Sequence, residues 1–224
     1  MNIFEEGSLF QRFLNKMADL LILNLLTLLM CLPVITAGAA LTAMHYVLLK
    51  LVRDEEGYIV KSFFRSFKRE FRQATVLWII FLAVIALMVS NLVMILEGGG
   101  SYPIWLPSSI LVVAFLELMF MIYTFAMLSR FDNSIYHTLV NAVTLTFAEL
   151  PKSLEMAVIT LIPVIVFIWV PVLLPALVLF GLSVPGYACA MIYDPVFRKI
   201  EKQIWEEENA EYPEDEYPED SEEN

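Results

Sequence analysis

Charge is scarce in this chain, and histidine and cysteine are scarcer. Only 17% of residues are Asp, Glu, Lys or Arg, where a soluble domain has about a quarter. The two histidines, His45 and His137, exclude any centre built from several imidazoles. The two cysteines, Cys31 and Cys189, sit in apolar runs with no CxxC spacing. That excludes a disulfide framework and a thiolate metal site, and two inert thiols are expected. HExxH, GxSxG and P-loop patterns are absent, so no hydrolase or nucleotide chemistry is indicated. Gly98-Gly-Gly100 follows no strand pattern and reads as a flexible turn. No cofactor and no nucleic-acid partner is expected.

The abundant component is apolar: 59% of the 224 residues. The formal charge of −11 is confined to the end of the chain. Residues 201–224 carry twelve acids and one lysine, while residues 1–200 balance to zero. The stretch from Trp205 contains Glu-Tyr-Pro-Glu-Asp twice and cannot bury enough apolar surface to fold, so 201–224 is expected to be a disordered acidic tail.

Four charge-poor runs organise the rest. They cover 20–49, 74–96, 108–129 (interrupted only by Glu117) and 156–193. About 20 residues cross about 30 Å of hydrocarbon, so the middle two are single spans. The last is too long for one span and contains Pro171 and Pro175, which divides it into about 154–170 and 176–193. The first contains Leu32-Pro-Val-Ile-Thr-Ala-Gly38, where Pro33, Thr36 and Gly38 form a candidate helix-break motif. This predicts a hairpin of spans 8–32 and 37–53, with Ser8 as a possible N-cap; one kinked helix is the rival. Ala37-Gly-Ala39 resembles a signal cleavage site, but three acids against two bases precede it and the apolar run continues beyond, so retention is expected.

Basic residues set the orientation. Segment 50–73 holds seven Lys/Arg and segment 97–107 holds none. With the hairpin, all fourteen Lys/Arg fall on the cytoplasmic side; with one first helix, two do not. Six spans with both termini cytoplasmic are therefore preferred, five being possible, in an all-α transmembrane bundle. Trp78 is expected at the inner interface, and Tyr102, Trp105 and Trp169 at the outer one.

Two connections read as cytoplasmic interfacial helices. In 58–72, phenylalanines 63, 64, 67 and 71 recur at helical spacing, with Lys61, Arg65, Lys68, Arg69 and Arg72 on other faces. This is a candidate lipid or partner surface. Residues 133–149 have a similar pattern, capped by Asn133 or Asp132. Their placement suggests an approximate repeat of 37–96 against 108–170.

Within the spans, Glu117 is the principal candidate for chemistry, because a carboxylate near the midplane costs several kcal/mol unless neutralised, paired or hydrated. His45 is its candidate ionisable partner, with Asn24, Asn91 and Thr36 as polar ones. Hydrogen bonding between helices is the structural alternative for all of them.

Four segments together resemble the YesL-like family, bacterial integral membrane proteins with a domain of unknown function. They are Leu32–Gly38 with Leu41-Thr-Ala43, Phe67-Lys-Arg-Glu-Phe-Arg-Gln-Ala74, Asn141-Ala142 with Leu150-Pro151, and Pro195-Val-Phe-Arg-Lys199. The resemblance covers about 1–205. It implies an accessory to a sugar transporter or sensor in a bacterial cell membrane, and transfers no site residues. The expectation is thus a non-enzymatic membrane accessory of carbohydrate uptake or sensing. A small transporter or channel using Glu117 is the alternative, and a membrane enzyme ranks third.

Overall fold

A proline and a glycine break the first apolar run where backbone chemistry requires it. In a computed structural model, which describes residues 9–55, 57–97, 103 and 105–211, helix α1 covers Leu9–Cys31 and helix α2 covers Ala37–Val52. A single 3₁₀ turn, Val34–Thr36, joins them. The Thr36 hydroxyl donates to the carbonyls of Met30 and Pro33, which replaces helical bonds lost at the break. The two helices form a hairpin, since Lys16 near the start of α1 meets Asp54 just beyond α2 at 2.8 Å. Ser8, Gly98–Gly100, Tyr102 and the acidic residues 212–224 lie outside the described residues.

Helix α3 covers Ile59–Glu97 without interruption. At 1.5 Å per residue its 39 residues span about 58 Å, nearly twice the hydrocarbon thickness. The expected interfacial helix 58–72 and span 74–96 are therefore one element. The reason is local: no Pro or Gly lies between Tyr58 and Leu96. The reason is also tertiary. Phe63, Ser66, Glu70, Ala74, Leu77 and Phe81 form one buried stripe along the helix. Phe63 is in the core with Phe64 and Phe67 packed against it, so much of the phenylalanine face meets protein rather than an interfacial lipid layer.

Gly38 sets how α2 meets α3. A Cβ added there would lie 2.5 Å from Trp78 Cβ and 2.6 Å from the Ala74 carbonyl. Only glycine permits that approach, as at close helix crossings in membranes. Trp78 Nε1 also donates to the Val34 carbonyl at 2.7 Å. Trp78 thus lies against the Pro33–Gly38 turn, not at the opposite end of the hairpin where the interfacial reading placed it. Further along, the Arg69 guanidinium lies over the Tyr46 ring. Helix α2 therefore runs beside the basic half of α3, and the charge-free half continues past the turn.

Helix α4 (Trp105–Arg130) returns along α3, and helix α5 (Ile135–Ala148) follows. The cap of α5 is Ser134, whose side chain accepts from the His137 amide, rather than Asn133 or Asp132. Helix α6 (Leu150–Trp169) leads through a 3₁₀ turn at Pro171–Leu173 into the seven-residue helix α7 (Leu174–Phe180). Helix α8 (Ser183–Glu211) closes the described chain.

The expected span 176–193 is consequently split at Gly181–Leu182. Pro185 has no N–H to offer the Gly181 carbonyl, which favours a break there. Residues 201–211, expected in the disordered tail, belong to α8, which stays helical to Glu211. All described secondary structure is helical. Among the described residues, four helices have the length and apolarity to cross a membrane: α1, α2, α3 and α4. The bent pair α6–α7 makes a fifth if counted as one span.

Candidate functional site

The polar residues within the apolar helices divide into those consumed by the fold and those that are not. Asn24 on α1 is fully buried and consumed. Its Nδ2 donates to the Val178 carbonyl at 2.8 Å, and its Oδ1 accepts from the amides of Leu182 and Ser183 at 2.9 Å. It caps the start of α8 from another helix and holds the α7–α8 break in place. Asn91 on α3 is exposed and donates to Leu87 of its own helix. Pro33, Thr36 and Gly38 build the hairpin turn described above.

The anticipated Glu117–His45 pair is not formed. His45 Nδ1 lies 2.9 Å from the Tyr193 hydroxyl on α8. Glu117 on α4 is 8% exposed, and its Oε1 is buried without a hydrogen-bond partner among the described residues. It lines a groove of about 370 Å³ between α3 and α4 whose other walls are apolar, including Ile85, Leu92 and Ala114. His45 lines a separate cavity of about 500 Å³ between α1, α2, α4, α6 and the α7–α8 break. Leu118 and Met121 belong to both walls.

The His45 cavity is almost wholly apolar. Its polar side chains are His45 and Thr160, with the Cys189 thiol beside them. Thr160 Oγ1 is satisfied by the Met156 carbonyl and approaches Cys189 Sγ at 3.6 Å. Such a lining suits an apolar guest or lipid chain better than a polyhydroxylated one, whose hydroxyls need partners. Among the described residues, no group of three His, Cys, Asp or Glu side chains could hold a metal ion.

The basic residues flagged from sequence fall into two sets. Lys61, Arg65, Lys68 and Arg72 lie along one exposed stripe of α3, opposite its buried stripe, and make no ion pair among the described residues. Arg69 differs: it pairs with the buried Glu70 and also donates to the Ser129 carbonyl at 3.3 Å.

Arg53, Arg130 and Arg198, which carry no site signal in the sequence, form a dense polar cluster with Asp194 and Glu201. Arg53 donates from Nε to Asp194 at 2.6 Å and from both terminal nitrogens to Glu201 at 3.0 and 3.1 Å. Arg130 donates to the same Glu201 carboxylate at 2.7 Å, and Arg198 to Asp194 at 2.7 Å. Burial raises the Glu201 pKa, but the bonds from Arg130 and Arg53 outweigh it and hold the carboxyl below its ordinary range. The cluster ties the ends of α2 and α4 to α8. Its only local signal is the Asp194–Arg198 spacing on one helix.

These features define an all-α protein with several helices of membrane-spanning character and no recognisable catalytic constellation among its described residues. A family model described as "Protein of unknown function, DUF624" matches residues 20–92, from α1 through the turn and α2 into α3. No curated protein and no solved structure matches the chain.

Proposed function

We propose that the protein is a YesL-like, multi-pass accessory of a carbohydrate-uptake or sugar-sensing complex in a bacterial cell membrane, without enzymatic activity of its own. The observation that carries this reading is the use made of Leu32–Gly38. This segment is the most specific part of the resemblance and lies inside the matched residues 20–92. Its side chains are spent on architecture: Thr36 closes the turn, and Gly38 admits Trp78. The apolar lining of the His45 cavity supports a place beside a sugar-handling protein rather than a sugar site within this chain.

The cluster of Lys16, Arg53, Arg130 and Arg198 at one end supports placing that end in the cytoplasm. In this arrangement α7 and the start of α8 act together as a discontinuous sixth crossing. Both termini are then cytoplasmic, and α5 lies at the inner interface. Affinity purification of the tagged chain from native membranes tests the accessory role. Recovery of a transporter or sensor subunit is expected, and recovery of none would sink the idea.

One observation favours a second reading, a small transporter or channel. The unpartnered Glu117 Oε1 faces a groove at membrane depth, where an ionisable group is costly to keep without use. Flux in proteoliposomes that survives Glu117→Gln unchanged would remove this reading.

A further inference from the structure

A small pocket at the charged end differs in kind from the Glu117 groove and the His45 cavity. It measures about 60 Å³ and is lined by Tyr46, Leu49, Lys50, Arg53, Glu55 and Arg130. Three of its six lining side chains are cationic and one is acidic. Its volume is about that of two waters at ~30 Å³ each, room for one tetrahedral oxyanion.

The cations are not all satisfied. Arg53 is, through Asp194 and Glu201. Arg130 uses only Nε, toward Glu201, and its terminal nitrogens make no hydrogen bond among the described residues. Lys50 is the clearer case. Its side chain is only 26% exposed, yet its ammonium makes no hydrogen bond among the described residues. A Glu55 carboxylate oxygen is 3.9 Å away, and the Tyr46 ring lies 5.7 Å from the ammonium. The Arg69 guanidinium approaches that same ring at 5.6 Å, which adds positive potential.

An ammonium whose stem is packed, and whose contact with Glu55 is as long as 3.9 Å, keeps most of its charge uncompensated. The natural complement is an anion offering several acceptor oxygens to a lysine and an arginine together. Among the described residues the nearby carboxylates do not fill this role: Asp194 and Glu201 are engaged by Arg53, Arg130 and Arg198, and Glu55 reaches Lys50 only at 3.9 Å.

We propose that this pocket binds a phosphoryl anion, with Lys50 and Arg130 donating to its oxygens, Arg53 fixed as the floor, and Glu55 as an internal competitor for Lys50. The phosphoryl group belongs either to a lipid headgroup at this end of the bundle or to a small soluble phosphate; the recognising chemistry is the same.

The test uses the full chain in a phosphate-free maltoside detergent, with unfolding followed by tryptophan fluorescence. One arm titrates inorganic phosphate against chloride at equal ionic strength. The other adds phosphatidylglycerol, against an equal amount of phosphate-free diacylglycerol. Stabilisation in the first arm identifies a soluble phosphate, and stabilisation in the second alone identifies a headgroup. In either case Lys50→Gln should weaken the response about tenfold in apparent affinity, the loss of one charge-assisted bond. Glu55→Gln should strengthen it, which a merely structural Lys50 would not produce. The proposal is overturned if neither arm stabilises the protein. It is equally overturned if Glu55→Gln leaves the response unchanged, since a generic basic surface such as Lys61–Arg72 would then be responsible.

Discussion

The connection from α2 to α3 and the connection from α4 to α6 both begin at an arginine and lead into a long apolar helix. In the first, Arg53 is followed by a short loop and then by 39 residues of unbroken α3. In the second, Arg130 is followed by α5 and a break at Glu149, where the backbone turns to φ −114° and ψ 42°. Pro151 accounts for much of the difference, because its ring nitrogen cannot bond the Phe147 carbonyl. Ser153 compensates by donating to the carbonyls of Thr146 and Glu149 at 2.9 and 3.0 Å. The two arginines also differ, although they share Glu201. Arg53 binds two carboxylates and is 10% exposed, while Arg130 binds one and is 39% exposed. Similar amphipathic patterns thus yield a continuous strut in one place and a jointed elbow in the other.

The largest test of this asymmetry is Arg53→Ala, which leaves Asp194 and Glu201 less compensated in a largely buried setting. It should cost about 3–5 kcal/mol in chemical denaturation, the range for a broken buried pair. Arg130→Ala should cost about 0–1 kcal/mol, as expected for a partly exposed pair. Equal losses would show that the shared carboxylate, not burial, sets the energetics. Gln73→Pro would impose on α3 the kind of break found in the second connection. A loss of about 3 kcal/mol or more is expected, with reduced helicity by circular dichroism. A neutral result would mean that the strut is already jointed.

Gly38→Ala should cost about 1–3 kcal/mol through overpacking against Trp78 and Ala74. Gly57→Ala is the matched control, since its added Cβ would meet Ser62 Oγ at an ordinary 3.5 Å. Thermal unfolding of the two variants side by side separates close packing from generic glycine effects.

The smallest effect concerns pH. Glu201 is held below its ordinary pKa in the fold, so its contribution is present above about pH 4.3 and fades as pH falls through its lowered folded value. Denaturation midpoints should drop on acidification in the parent chain and respond less in Glu201→Gln. Identical pH profiles would assign acid sensitivity to other carboxylates.

Hydropathy and backbone chemistry are local, and what they govern was legible in the residues themselves. The all-α class, the apolar runs and the break at Pro33–Gly38 follow from composition, proline and glycine alone. So does the absence of any break between Tyr58 and Leu96, although the amphipathic pattern suggested two elements there. Which atoms meet across the bundle is not local. Asn24 caps a helix start 158 residues away, and Arg53 finds Asp194 across 141. His45 bonds Tyr193 rather than Glu117, because the fold lines them on separate cavities. The sequence by itself determined that these helices would form, and that their apolar faces would seek lipid or one another. Only the tertiary structure decided which polar groups the packing would satisfy and which, such as the Glu117 Oε1, it would leave without a partner among the described residues. That choice depends on distances between residues far apart in the chain, which neither periodicity nor composition encodes.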